Sequence, residues 1–169
     1  MAEDNITQYR TIKVAAKFER LVKTYSGQEA EEDKIWNTQN SLMMFAANLG
    51  IRLNKKKKLG KKTYEITPRN VVNKNSYITD HIDLIAVADT KSVDILGAEP
   101  EKERDNIEER FMIYESYLNG GMHALANLVN KPGKAYDLII AELQKKEILV
   151  FPETNESSEP LSDEGNIFE

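Results

Sequence analysis

A stripe of apolar residues follows helical spacing from residue 107 to residue 129 and crosses two adjacent glycines without a change of phase. Spacings of three and four residues are typical of one face of an α-helix. In a helix interior each glycine costs about 1 kcal/mol relative to alanine. Gly120 and Gly121 therefore indicate either a kink or a close approach by another backbone. We expect a long helix from Pro100, a residue suited to the first helical position, to the break at Pro132-Gly133. The stripe consists of Ile107, Phe111, Tyr114, Leu118, Met122, Leu125 and Val129.

The other apolar patterns predict a mainly all-α, single compact domain. Periodic apolar residues predict helices over about residues 11–25 and 34–53, and Asp80 is expected to cap a further helix over 81–91. Apolar residues surround most of the circumference of the 81–91 helix, which places it at the centre of the fold. A short turn over 93–97 follows it. The final helix is predicted from the spacing of Tyr136, Ile139, Ile140 and Leu143.

One short segment is expected to be extended. Tyr64 and Ile66 alternate with polar residues, and Pro68 argues against a central strand. We therefore expect at most a small β-hairpin around residues 55–67. Residues 148–151 are too apolar for a loop and are interpreted as a terminal strand or an anchor.

The charge of the chain is unevenly distributed. The net charge is −5 over 169 residues, and residues 152–169 include six acidic residues and no basic one. Residues 1–151, which precede this segment, therefore have a net charge of +1. Because the segment is acidic and poor in apolar residues, we predict a helical domain over 1–151 and a disordered acidic tail over 152–169. The tail either keeps the protein soluble, competes with a polyanion, or docks on a partner through Ile167 and Phe168.

Composition excludes several classes of protein. Cysteine is absent, which excludes disulfides, thiolate zinc sites and cysteine nucleophiles. The N-terminal segment lacks the apolar core of a signal peptide, and no apolar run approaches the roughly 20 residues that span a bilayer. We expect a soluble cytoplasmic protein without a membrane partner. A membrane-surface role is possible on charge alone but ranks below nucleic-acid binding.

The sequence contains no complete motif for catalysis or for metal binding. Gly60-Lys61 lacks the first glycine and the Ser or Thr of a phosphate-binding loop. His81 with Asp80, Asp83 and Asp89 could be drawn as a metal site. However, Asp80 is better explained as an N-cap and Asp83 as a first-turn acid that the helix dipole favours.

Two further groups of titratable residues are interpreted as structural. His123 lies beside the apolar stripe and is expected to be a hydrogen-bonded structural histidine. The acids of residues 101–109 alternate with basic residues, a pattern typical of exposed ion pairs on a helix. We therefore predict no catalytic residue, no metal and no cofactor.

The segment RLNKKKKLGKK, residues 52–62, contains seven basic residues and no acidic one. A solvated loop is the ordinary interpretation of such a run. Here the run follows a helix directly, and a turn at Leu59-Gly60 would present both lysine groups to one side. Lysines bind phosphates as point charges, so contact with DNA would be independent of sequence and sensitive to salt. The predicted nucleic-acid-binding residues are Arg52, Lys55, Lys56, Lys57, Lys58, Lys61, Lys62 and Arg69.

Three motifs resemble a known family. They are FAANLG at 45–50, IAVADT at 85–90 and YLNGG at 117–121. Over roughly residues 11–145 the chain resembles the small accessory proteins encoded with bacterial DNA phosphorothioation (Dnd) systems, the family of Dnd-system-associated protein four. The resemblance implies a role in antiphage defence beside modification or restriction enzymes, without catalytic activity of its own.

Three hypotheses follow. In the first, the chain is an accessory subunit that binds the DNA backbone through the lysine run and contacts other defence subunits near Asn119, Gly120 and Gly121. In the second, it is a protein–protein adaptor that never contacts DNA. In the third, it is an enzyme whose site combines distant acids with His81. The sequence leaves open whether the chain forms a homo-oligomer.

Overall fold

The structure, a computed structural model, describes residues 9–27, 34–97, 103–130 and 134–147. Several predicted features lie outside these ranges. They are the start of the long helix at Pro100, its end at Pro132-Gly133, the apolar residues 148–151 and the acidic tail. Helices dominate the described residues, as predicted, and a two-stranded sheet accompanies them. The elements are β1 (Ile12–Ala15), α1 (Glu19–Tyr25), α2 (Gln39–Arg52), β2 (Thr63–Thr67), α3 (Arg69–Lys74), α4 (Ser76–Thr90), α5 (Glu103–Val129) and α6 (Ala135–Lys145), with 3₁₀ turns at Ala16–Phe18 and Asp94–Leu96.

Helix α5 is the centre of the fold. Its apolar stripe is buried as predicted up to the half-buried Val129, and Phe111, Tyr114 and Leu118 are fully inaccessible to solvent. Helices α2, α4 and α6 and strand β1 all pack against it. The long α5 helix thus provides the surface on which the other elements are placed.

The prediction that the 81–91 helix lies at the centre is wrong. Helix α4 buries Ile78, Ile82 and Ile85 but leaves Leu84 67% exposed, so it covers one side of α5. The predicted cap at Asp80 is also wrong, because α4 begins at Ser76 and its N-cap is Asn75.

The predicted helix over 11–25 is a strand, a 3₁₀ turn and a short helix. In β1 the side chains of Ile12 and Val14 are buried and that of Lys13 is exposed, an alternation typical of a strand. The strand pairs antiparallel with β2, with Val14 opposite Tyr64. The extended piece at Tyr64 is therefore confirmed, but its partner is the distant β1 and not the other arm of a local hairpin.

The glycines of α2 and α5 allow the two helix backbones to touch. A Cβ on Gly50 would overlap the carbonyl oxygen of Tyr117, and a Cβ on Gly121 would overlap that of Ala46. Each glycine thus meets a carbonyl located one turn before the glycine of the opposite helix. Of the two interpretations of Gly120-Gly121, close approach of another backbone fits these contacts.

We predict that Gly121→Ala destabilises the protein by about 1–3 kcal/mol, because the new methyl group would push two backbones apart. Helix propensity alone predicts the opposite sign, a gain of about 1 kcal/mol. Urea unfolding measures the difference. Gly60→Ala is the matched control, since nothing lies within 4 Å of a Cβ at that position. A Gly121→Ala protein more stable than the wild type would contradict the close contact.

Candidate nucleic-acid interface

The lysine run forms a loop whose backbone lies on α5. Helix α2 ends at Arg52, and Asn54 turns the chain through a left-handed conformation with φ of 49°. Residues 55–60, which are neither helix nor strand, then cross α5. The amide of Lys55 donates to the carbonyl of Gly50 at 2.8 Å, and that of Lys57 donates to the carbonyl of Ser116 at 2.9 Å. We call residues 55–62 the lysine loop.

Asn119 fixes this loop from the middle of α5. Its side-chain amide donates to the carbonyls of Lys57 at 3.0 Å and Lys58 at 3.3 Å. Its side-chain oxygen accepts from the amide of Ala15 at 3.3 Å, so the same residue also holds the end of β1. The next residue of α5 is Gly120, where a Cβ would overlap the Lys55 carbonyl oxygen.

Asn119, Gly120 and Gly121 are therefore not on an accessible surface. All three are buried, and they contact the lysine loop, the end of β1 and α2. In this conformation another protein could not reach them, because the chain's own backbone covers them. The YLNGG motif thus positions the lysine loop.

The cationic side chains of the loop are exposed to solvent, although its backbone contacts α5. Apart from Lys56, the lysines of the loop have no ion pair within the part of the chain that the structure describes, and neither does Arg52. Arg69, the first residue of α3, is exposed as well. The solvent-exposed lysines of the loop are Lys55, Lys56, Lys57, Lys58, Lys61 and Lys62.

Lys56 differs from its neighbours because it pairs with the protein itself. Its ammonium group lies 2.5 Å from Asp89 Oδ1 and 5.1 Å from the ring centroid of Tyr117. The Tyr117 hydroxyl donates to the same Asp89 oxygen at 2.7 Å. These contacts attach the loop to α4 and α5, so Lys56 is an anchor.

The pKa values of the anchor follow from these contacts. Burial raises the pKa of Asp89, but hydrogen bonds from Lys56 and Tyr117 and the charges of Lys56 and Lys91 outweigh that effect, so the pKa is lowered. Burial and the neighbouring Asp89 carboxylate raise the pKa of Tyr117 to about 12. Asp89 is therefore charged and Tyr117 neutral at neutral pH.

The predicted turn at Leu59-Gly60 is absent, and the chain bends at Lys61-Lys62. The lysines also do not face one side together. Lys56 and Lys58 line a groove with Met112 of α5, whereas Lys55 lines a second groove beside α6. The cations thus form a band across α5 and not a single projecting group.

His81, the residue of the hypothetical metal or catalytic site, has structural partners. It is buried, and its ring nitrogens lie 3.1 Å from the Tyr114 hydroxyl and 3.0 Å from Asn48 Oδ1. Burial lowers its pKa, which favours the neutral ring. Asp83 pairs with Arg110 at 2.6 Å instead of serving as a first-turn acid. Among the described residues no group of three His, Asp or Glu side chains could hold a metal ion.

None of the helices that the structure describes is both long enough and apolar enough to cross a bilayer.

Comparison with protein families identifies the chain. The family model described as DNA sulphur modification system-associated protein 4 matches residues 11–161. The chain belongs to this family. The resemblance carried by FAANLG, IAVADT and YLNGG is thereby confirmed, and the family description associates the chain with a DNA sulphur modification system. No curated protein and no solved structure matches the chain.

The three family motifs of this sulphur modification-associated protein meet at the base of the lysine loop. Gly50 of the first motif contacts α5, and Asp89 of the second binds Lys56. Tyr117 and Asn119 of the third bind Asp89 and the loop backbone. The match also extends past residue 151 into the segment that the sequence assigns to the tail.

We predict that Lys56→Ala lowers the free energy of unfolding by up to about 1 kcal/mol, because it removes a partly exposed ion pair and a cation–π contact. Lys58→Ala, which removes a cation without a described partner, should leave stability within about 0.5 kcal/mol of the wild type. Urea unfolding at pH 7 compares the two variants.

The pH dependence tests the same anchor through Asp89→Asn. Because the pKa of Asp89 is lowered by folding, its stabilising effect is present above the unfolded pKa of about 3.9 and is lost as the pH falls through the folded pKa. The stability difference between wild type and Asp89→Asn should therefore shrink below about pH 4. A difference that stays constant from pH 7 to pH 3 would argue against the ion pair.

Proposed function

We propose that the chain is a non-catalytic accessory subunit of a DNA phosphorothioation-linked antiphage defence system and that it binds the DNA backbone through the lysine loop. The observation that supports this proposal is a fixed loop backbone with exposed cations that lack carboxylate partners among the described residues. Lys57 and Lys58 are held by backbone hydrogen bonds to Ser116 and Asn119, yet their side chains are exposed.

The chemistry of the loop suits phosphate groups. An ammonium group that neutralises a phosphate releases a condensed counterion, which supplies affinity without reading the base sequence. A loop backbone that is already ordered loses less conformational entropy when it binds. Specificity for a target would then come from other subunits of the system.

The decisive test is charge reversal of the loop with its anchor kept intact. The triple variant Lys57→Glu, Lys58→Glu and Lys61→Glu leaves Lys56 in place. We expect its affinity for duplex DNA at low salt to fall by at least about tenfold. The plot of log affinity against log salt has a negative slope. Its magnitude should become smaller by about 0.9 for each phosphate that the variant no longer neutralises. Fluorescence anisotropy over a series of salt concentrations measures both quantities.

The matched control reverses three exposed lysines outside the loop, namely Lys34, Lys134 and Lys145. Both triple variants change the net charge equally, so a nonspecific charge effect would weaken them to the same extent. Equal affinities of the two variants, or DNA binding unchanged in the loop variant, would refute the proposal.

An adaptor that does not touch DNA is the second candidate. Large apolar side chains remain uncovered on the described surface, with Leu84 67%, Val93 68% and Met112 62% exposed. Exposed apolar groups of this size are suited to protein contacts when they lie together. Co-purification with the other proteins of the system that survives nuclease treatment and loop reversal, without DNA binding by the wild type, would favour the adaptor.

A further inference from the structure

We infer that the anion-binding surface extends beyond the lysine loop to Lys17 and His123, which together with the Phe18 ring form a composite site for one phosphodiester of duplex DNA. This inference rests on the proposed function and adds residues from two other elements to it. Neither residue belongs to the basic run of the sequence.

Backbone hydrogen bonds place Lys17 beside the loop. The 3₁₀ turn Ala16–Phe18 follows β1, and the amide of Ala16 donates to the Lys62 carbonyl at 3.1 Å. Asn119 binds both Ala15 and the backbone of Lys57, so it holds this turn and the loop in a fixed arrangement. The Lys17 side chain is exposed.

His123 lies on α5 one turn beyond Asn119. Its ring meets the Phe18 ring edge to face, with centroids 4.9 Å apart and an interplanar angle of 88°. The Lys17 ammonium lies 5.1 Å from the centroid of the same Phe18 ring. One aromatic side chain therefore holds the imidazole and the cation near each other.

The hydrogen bonds expected for a structural histidine are missing. In the described ranges neither ring nitrogen of His123 has a hydrogen-bond partner, in contrast to His81, and the residue is only partly buried. The prediction of a hydrogen-bonded structural role is wrong. His123 thus has polar atoms available for a ligand.

The two charges that shift the pKa of His123 are both positive. Burial lowers its pKa, and the charges of Lys17 from the 3₁₀ turn and Lys57 from the loop lower it further. On α5 itself the residues three and four positions away are Gly120, Ala126, Asn119 and Asn127, none of which is charged. In the free protein the imidazole is therefore neutral at neutral pH.

A bound phosphate would reverse this balance. Its negative charge neutralises the two ammonium groups and favours the imidazolium form, which can donate a hydrogen bond to a phosphate oxygen. Phosphate binding and protonation of His123 are then coupled. DNA affinity should rise as the pH falls from the pKa of His123 in the DNA-bound protein to its lower pKa in the free protein. Below the pKa of the free protein the affinity should level off.

The direct test follows both imidazole rings of the full chain by NMR during pH titrations with and without saturating duplex DNA. We expect the pKa of His123 to rise by about one unit with DNA, equivalent to about a tenfold gain in affinity at low pH. His81 serves as the internal reference, and its pKa should not change. Lys17→Gln should raise the pKa of His123 in the free protein, since it removes a like charge.

Binding measurements complete the test. Lys17→Gln should weaken DNA binding by about threefold or more, whereas Lys13→Gln, the matched exposed lysine of β1, should not. His123→Gln should abolish the gain in affinity between pH 7.5 and pH 5.5. If DNA binding depends on the lysine loop but the pKa of His123 does not move, the composite site is refuted and the proposed function stands. If the wild type does not bind DNA at all, both fail.

Discussion

The contact between the backbones of α2 and α5 is the constraint on which the rest of the structure depends. Gly50 and Gly121 each leave space for a carbonyl of the opposite helix, so the two helices cross at a distance that side chains would prevent. Because α2 ends two residues after Gly50, the chain that follows must leave directly over α5. The same contact that packs the core thus determines where the basic loop lies.

The electrostatics of the surface follow from this placement. Ser116 and Asn119 of α5 bind the polar backbone groups of the loop, which leaves the lysine side chains to solvent. Only one of them, Lys56, finds a carboxylate among the described residues, and that pair secures the loop. The other lysines of the loop have no carboxylate partner in the described ranges, while the loop backbone is fixed. This arrangement is suited to a polyanion whose charges are regularly spaced.

Local sequence patterns predicted the parts of this arrangement that depend on local spacing. The stripe of α5 and the exposure of the lysines follow from periodicity and composition. For Gly120-Gly121 the sequence left two interpretations, a kink or a close approach, and the structure favours the second. Strand β1 could not be predicted in this way, because the spacing of Val14 and Phe18 also fits a helix. The pairing that decides between strand and helix involves the distant Tyr64. Lys17 and His123 were missed for the same reason, since they come together only after β1 has formed.

Amide hydrogen exchange in the absence of DNA tests most directly whether the loop is held on α5 before any ligand binds. We expect the amides of Lys55 and Lys57, which donate to Gly50 and Ser116, to be protected to an extent comparable with amides of α2. Exchange of the Lys57 amide at the rate of an unstructured chain, while the amides of α2 and α5 remain protected, would contradict it.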